Sequence, residues 1–188
     1  MEYFFFGRDR QGIADLRWEL AEEHWSFMDR YAGSMIARGP TLETDSESEM
    51  TGSVHIVDLP DAHSAPLFAY QEPYYQAGVF KEVLIRRWNN SLQRTMWDFA
   101  GTGGRPFLVI GHALAGSTLR HSELRKRQVQ YLSESGFNER LIVCGPLLSD
   151  DGTEWMGTAL MASGPYAEAS LYETVEIHDW RFGGRPAS

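Results

Sequence analysis

The sequence predicts an α+β fold made of two tandem units, each with the element order βαββαβ. The main observation is an internal repeat, in which a Gly-Pro turn and a longer segment ending in Trp each occur twice. The matched segments are 38–45 with 144–151, and 73–88 with 165–180. Each half also reads as a strand, a long helix, two strands, a connection and a final strand. Self-similarity on this scale indicates duplication of one supersecondary unit.

In the first half, short apolar runs predict four strands, at 2–7, 36–42, 53–59 and 83–88. Apolar residues recur at spacings of three and four between Ile13 and Tyr31, which is typical of an amphipathic helix lying on a sheet. His24 lies within that apolar stripe. A second helix is expected at 60–71, immediately before the final strand.

The second half predicts strands at 107–111, 141–147, 157–162 and 175–180, with a helix at 118–135. The offset between matched residues falls from 106 to 92, so this half is 14 residues shorter between its third and fourth strands. Those residues correspond to the body of the second helix. We therefore expect one sheet face to be poorly covered, and we predict a homodimer formed through that face.

The repeat divides the chain into a first unit at 1–90, a linker at 91–105 and a second unit at 106–188. The linker contains Gly101, Gly103 and Gly104, which resemble a phosphate-binding loop. No strand immediately precedes them and Pro106 follows, so a flexible connector explains the segment better.

Composition narrows the classes of partner. The chain has 188 residues and a formal net charge of −9, which disfavours nucleic acid because phosphate binding requires clustered Lys and Arg. The apolar N-terminal run is too short for a membrane span. The single cysteine, Cys144, is expected to be a small buried hydrophobic residue. Together these features favour a cytoplasmic protein with a small-molecule partner.

Several short motifs, in a fixed order, resemble the YciI-like (YCII-related) family of the dimeric α/β-barrel superfamily. In the first half the matching segments are 23–27 (EHWSF), 37–40 (ARGP), 52–53 (GS), 72–74 (EPY), 77–80 (AGVF), 83–85 (VLI) and Trp88. In the second half the match covers 145–146, Gly157, 165–166 and the final strand. The matching segments span nearly all of the first half and less of the second.

The resemblance implies two ferredoxin-like units whose antiparallel sheets pack face to face as an α/β barrel. Such barrels usually form between two chains, but here one chain supplies both sheets. Family members are thought to pair a His on the first helix with an Asp before the Pro-Tyr motif, and a related enzyme removes chloride from a chlorinated hydroxyquinol. These positions fall on His24 and Glu72, the latter keeping the carboxylate on a longer side chain. Their counterparts in the second half are Gln128 and Gly164, so that half is degenerate.

Strand alternation supplies further candidates, because neighbouring residues point to opposite faces of a sheet. If Val83 and Ile85 face the helices, Leu84 and the polar residues in register with it face the barrel. That interior would be too polar for an ordinary core, and would be either a pocket lining or an ion-paired cluster between the two units. The predicted substrate-binding residues are Arg86, Trp88, Tyr74, His55, Ser53, His178 and Glu176. No metal ligand is predicted, because no His or Cys pair has ligand spacing.

These features favour a cofactor-independent enzyme that acts on a small aromatic or polyketide-like metabolite. His24 would be the general acid or base, Glu72 would orient it, and Arg86 would hold an anionic or enolic oxygen. Elimination, isomerisation and cyclisation need only such groups. Two alternatives remain open: His24 is a core residue bonded to a backbone carbonyl, or the protein is a non-catalytic ligand-binding or accessory protein of a metabolic pathway.

Overall fold

A computed structural model describes residues 1–44, 49–101, 104–113, 126, 130, 137–164 and 172–185. Eight strands form a closed barrel in which every neighbouring pair is antiparallel. The strands are β1 (Glu2–Asp9), β2 (Met35–Leu42), β3 (Met50–Asp58), β4 (Phe80–Trp88), β5 (Pro106–His112), β6 (Leu141–Leu148), β7 (Trp155–Ser163) and β8 (Thr174–Trp180). All eight predicted strands are present, and their ends lie within three residues of the prediction.

The helices of the first half depart from the prediction at two points. The long first helix is divided into α1 (Ala14–Glu19) and α2 (Ala21–Asp29), because Leu20 leaves helical geometry with ψ of 1°. The second helix is also divided, into α3 (Ser64–Tyr70) and α4 (Pro73–Gln76). Proline lacks an N–H and is favoured at the first position of a helix, so Pro73 begins α4 rather than ending α3.

The two halves use the same pairing order within the barrel. In the first half β1 pairs with β3 and β4, and β3 pairs with β2. In the second half β5 pairs with β7 and β8, and β7 pairs with β6. The halves join at two short seams, β2 with β8 and β4 with β6, each of two residue pairs. Each half therefore contributes four strands to the single barrel.

An apolar core fills the barrel interior, and this corrects the expectation of a polar cavity there. Phe4, Phe6 and Trp88 from the first half pack with Leu108 and Trp180 from the second, each no more than 1% exposed. The predicted alternation is otherwise confirmed. Leu84 packs against this core, whereas Val83 and Ile85 pack with α2 and α3 on the outer face.

The linker packs against the barrel, so the expectation of a flexible connector is wrong for its described part. Met96 is 2% exposed and joins the interior core, and its sulfur accepts a hydrogen bond from the backbone N–H of Arg38. Arg94 donates to the carbonyls of Leu141 and Ile142 on β6.

The outer face of the second half is largely buried rather than exposed. A cluster of Val109, Leu141, Cys144, Leu160 and Ala162 is at most 3% exposed, which confirms the buried position of the cysteine. Burial raises the pKa of its thiol to about 12. On the same half Ile177 is 51% exposed, and the homodimer stays a prediction.

Most of the helix predicted at 118–135 lies outside the described residues, although Lys126 and Gln130 are helical. Within the part of the chain that the structure describes, no helix has the length and apolar character needed to cross a membrane.

Candidate functional site

A cavity of about 260 Å³ lies outside the barrel, between helices α1 and α2 and the outer face of strands β2 and β3. Arg38 and Pro40 on β2 are in register with His55 and Ser53 on β3, so all four side chains face the helices. Alternation therefore places this floor opposite the interior core, where Val54 packs.

His24 projects from α2 into this cavity and forms an ion-pair contact with Glu72. The distance from His24 Nδ1 to Glu72 Oε1 is 2.5 Å, and the two residues are 8% and 3% exposed. Glu72 is the N-cap of α4, where its Oε2 accepts the backbone N–H of Tyr75 at 2.9 Å. Glu72 is therefore a fixed buried carboxylate, not an exposed residue at a helix end.

This contact assigns the two ring nitrogens of His24 different roles. An ionised carboxylate can only accept hydrogen bonds, so Nδ1 carries a proton and donates the hydrogen bond to Glu72. In the neutral imidazole the other nitrogen, Nε2, then holds a free lone pair. Nε2 makes no hydrogen bond to any residue that the structure describes, and the ring lines the cavity.

Tyr74 fixes the plane of the imidazole. Its ring stacks on His24 with 4.2 Å between centroids and 11° between planes. The phenol donates to the backbone carbonyl of Arg17 at 3.1 Å, and the Arg17 guanidinium lies 4.6 Å above the same ring. His24 is therefore held by a carboxylate at its edge and by an aromatic ring on its face.

A second buried ion pair lies next to the first. Arg17 Nη1 contacts both carboxylate oxygens of Asp9 at 2.8 Å, and Nη2 donates to Ser53 Oγ at 2.9 Å. Burial raises the pKa of Asp9 to about 6, although Arg17 opposes the rise. Ser53, predicted to bind substrate, lines the cavity and accepts this hydrogen bond at its wall.

His55 is the second imidazole of the cavity. Its ring centroid lies 5.5 Å from that of His24, and the residue is 5% exposed. Burial, together with the charges of His24, Arg38 and Arg17, lowers the pKa of His55 well below its usual value. His55 is therefore neutral at physiological pH and adds no charge to the site.

A C-terminal strap, defined as residues 181–185, closes one side of the cavity. Its backbone is bonded to β2, through Arg181 N–H to Pro40 O at 3.3 Å and Gly183 N–H to Arg38 O at 3.0 Å. Arg185 pairs with Glu22 and with Asp29 on α2. The second half thus contributes a wall to the cavity of the first.

Four of the predicted site residues lie elsewhere. Trp88 is a core residue whose Nε1 donates to Ala159 O at 3.3 Å, and Arg86 donates to the carbonyl of Ile85. Glu176 and His178 lie at one end of the barrel and contact each other at 3.1 Å. Of the two interpretations offered for the polar interior residues, the ion-paired cluster describes Glu176 and His178, and none of the four lines the cavity beside His24.

The sequence analysis missed Asp9, Arg17 and Arg38 as parts of the site. One signal was present: Arg17 precedes His24 by seven residues, about two helical turns, and so shares its face. Register with His55 is what places Arg38 in the cavity, and a single sequence does not show register between strands. No group of three His, Cys, Asp or Glu residues arranged to hold a metal occurs in the described ranges.

The fold is similar to that of proteins of the dimeric α/β-barrel type. A chlorite dismutase-like protein superposes with a TM-score of 0.58 and 10% identity, covering 96% of this chain and 94% of that one. A monooxygenase-like protein from Fusobacterium nucleatum superposes with a TM-score of 0.54 and 7% identity, over 96% and 91% of the two chains. At these identities the similarity concerns the fold alone.

Residues 1–89 match the YCII-related domain family. An uncharacterized protein of Haemophilus influenzae is 27% identical over 92 residues, which are 46% of this chain and 94% of that protein. The 5-chloro-2-hydroxyhydroquinone dehydrochlorinase of Burkholderia phenoliruptrix covers 50% of this chain and 99% of its own, with 23% identity and a TM-score of 0.47.

Proposed function

We propose that the protein is a cofactor-independent enzyme that transfers protons on a small aromatic or polyketide-like metabolite, with His24 as the general acid or base. The observation that carries this proposal is the buried His24–Glu72 contact of 2.5 Å beside a cavity. Imidazole exchanges protons near neutral pH, and a carboxylate on Nδ1 fixes the tautomer that leaves Nε2 available.

In the proposed reaction, Nε2 removes a proton from the bound metabolite, and the resulting imidazolium is stabilised by Glu72. The same nitrogen then returns the proton at another atom, or the electron pair expels a leaving group. Elimination, isomerisation and cyclisation all fit this sequence of steps. A volume of about 260 Å³ suits one substituted ring, since a cavity of about 150 Å³ holds benzene.

We further propose that the second half is a degenerate YCII-like unit of ferredoxin-like topology. Its four strands repeat the pairing order of the first half, which supports a common origin. Gly164 stands where the carboxylate would be, whereas Gln128 lies outside the described residues. The second half then serves the single site as scaffold and wall.

The test compares the wild type with His24→Gln on a panel of enolisable β-diketones and halogenated hydroxyquinols in D2O. Deuterium incorporation and halide release report proton transfer and elimination separately. We expect His24→Gln to lose about a hundredfold or more of the rate, the usual contribution of a general acid or base. His63→Gln, which alters an exposed histidine outside the cavity, is the matched control and should keep full activity.

Equal rates for the wild type and His24→Gln would remove His24 from the mechanism. Binding of panel compounds without turnover by either protein would favour the alternative, a non-catalytic ligand-binding protein of a metabolic pathway.

A further inference from the structure

We propose that the cavity beside His24 binds a planar organic anion and that Arg38 is the residue that holds its charge. The inference deepens the proposed function and rests on it, because both concern the same cavity. Its evidence is nevertheless separate: it depends on the charge and shape of the cavity wall and not on proton transfer.

The cavity wall is cationic although the chain as a whole is acidic. Among the described residues, three arginines and two histidines line it, and no aspartate or glutamate does. The charged and imidazole residues are Arg17, Arg38, Arg181, His24 and His55. In a chain with a formal net charge of −9, this local excess of positive side chains favours an anionic ligand.

Two of these groups already have buried counter-charges behind the wall. Arg17 contacts Asp9 at 2.8 Å, and His24 contacts Glu72 at 2.5 Å. Neither of these carboxylates lines the cavity. These pairs are locally neutralised, and they do not account for the charge that a ligand would meet.

Arg38 is different. Its side chain is only 16% exposed. Among the described residues its carboxylate partner is Asp29, whose Oδ1 lies 3.8 Å from Arg38 Nη1 and whose side chain is 44% exposed. The Nε atom is buried and has no hydrogen-bond partner within the described part of the chain. A guanidinium that lines the cavity without a close counter-charge can pair with an anionic ligand, and a carboxylate or phenolate oxygen supplies the acceptor.

The strap holds this guanidinium from the opposite side. A Cβ atom added at Gly184 would lie 2.8 Å from Arg38 Nη2, so the glycine backbone packs directly against the charged group. The positive φ of Gly184, 142°, requires the same absence of a side chain. Arg38 therefore has a defined position between β2 and the strap.

The remaining walls favour a flat ligand. Trp18 and Trp25 line the cavity from the helices, Tyr74 from α4, and Phe182 from the strap. Aromatic walls around about 260 Å³ suit one substituted ring, with its charged group directed to Arg38 on the floor.

The test measures equilibrium binding of two matched pairs, benzoate with benzamide and salicylate with salicylamide, by calorimetry at pH 7. Each pair keeps the ring and changes the charge. We expect each anion to bind the wild type about tenfold more tightly than its amide, since a hydrogen bond between two charged groups is stronger than one to a neutral amide. Arg38→Gln should remove this preference, and Arg38→Lys should restore part of it.

Arg10→Gln makes the same change of charge at an exposed arginine outside the cavity and should leave both affinities unchanged. Equal binding of anions and amides by the wild type, or an unchanged preference in Arg38→Gln, would overturn the inference. His24→Gln separates the two proposals: anion binding retained with turnover lost supports both, whereas anion binding with turnover unaffected by this change contradicts only the proposed function.

Discussion

At the scale of single residues, the Asp9–Arg17 pair shows burial outweighing attraction. Arg17 contacts both oxygens of the carboxylate, yet the pKa of Asp9 is raised to about 6, and burial is the largest cause. Removing two charges from water costs more than their attraction recovers unless every remaining donor is also satisfied. One is not, since Arg17 Nε is buried without a partner among the described residues.

This pair predicts a pH effect on stability. The pKa of Asp9 is about 6 in the folded protein and near 3.8 in the unfolded chain. Between these two pH values the folded protein binds more protons at Asp9 than the unfolded chain does. The contribution of protonated Asp9 to the free energy of unfolding is therefore complete below about pH 4 and is lost as the pH rises through about 6. The shift corresponds to on the order of 3 kcal/mol. Urea unfolding of the wild type and Asp9→Asn from pH 4 to 8 measures it.

We expect the free energy of unfolding of the wild type, relative to Asp9→Asn, to fall as the pH rises to about 6 and to level off above 7. The two proteins differ by one titratable group, so their difference isolates it. A difference that stays constant with pH would show that the carboxyl group is ionised throughout this range.

The site was predictable from sequence only where a family motif marked it. His24 and Glu72 were found because short motifs surround both, and the structure brings them into contact. Arg86 and Trp88 were misplaced because alternation shows which residues share a face, but not which face has a cavity beside it. The cavity lies on the helix side, and the interior is filled by rings such as Phe4 and Trp180.

At the scale of elements, the strands followed from apolar runs, whereas the helix ends did not. The breaks at Leu20 and before Pro73 set the site, because the first separates α1 from α2 and the second makes Glu72 an N-cap. Neither break interrupts the apolar spacing that predicts a helix. The two Gly-Pro pairs, by contrast, were visible in the repeat, and the packing around each glycine explains why it has no side chain.

Each Gly-Pro pair lies within a strand, β2 or β6, and places its glycine at a seam between the halves. A Cβ at Gly39 would overlap the carbonyl oxygen of Arg181, and one at Gly145 would overlap that of Asn89. The obstacle is backbone in both cases, so it cannot rotate away. We expect Gly39→Ala and Gly145→Ala each to lower the free energy of unfolding by about 1–3 kcal/mol or more.

The two variants differ in where they act. Gly39 and Arg181 line the cavity, so Gly39→Ala should also weaken benzoate binding, whereas Gly145→Ala should leave the affinity of the folded protein unchanged. Urea unfolding and calorimetry separate the two effects. Wild-type stability in either variant would mean that the seam has room for a side chain.

At the scale of the whole molecule, the halves are related by a repeated packing scheme. Gly7 meets the ring of Phe80 in the first half, and Gly111 meets that of Tyr172 in the second. The seams repeat as well, since β2 pairs with β8 as β6 pairs with β4. The repeat of short motifs was readable from sequence, but the closure of both halves into one barrel was expected only from the family resemblance.

The cluster at one end of the barrel breaks this repetition and ties the halves together. Glu176 on β8 accepts hydrogen bonds from Arg8 on β1 at 2.5 Å, from His112 on β5 at 2.6 Å and from His178 at 3.1 Å. In the repeat, Leu84 is the residue of the first half that matches Glu176, and it packs against the apolar interior. One carboxylate therefore links the strands β1, β5 and β8.

This cluster predicts acid sensitivity of opposite sign to that of Asp9. The hydrogen bonds, that from His112 first, lower the pKa of Glu176 far below its usual value of 4.5. Its stabilisation is therefore complete above pH 4.5 and is lost as the pH falls toward the depressed value. We expect Glu176→Gln to lower the free energy of unfolding by about 2 kcal/mol at pH 5, and by progressively less toward pH 3.

Glu82→Gln is the matched control, because Glu82 contacts Arg8 alone at 2.8 Å and its side chain is 56% exposed. Exposed pairs contribute about 0–1 kcal/mol, so this variant should remain close to the wild type. Urea unfolding at pH 5, 4 and 3 measures all three proteins. If Glu176→Gln were as stable as the wild type at pH 5, the seams and the apolar core alone would hold the barrel closed.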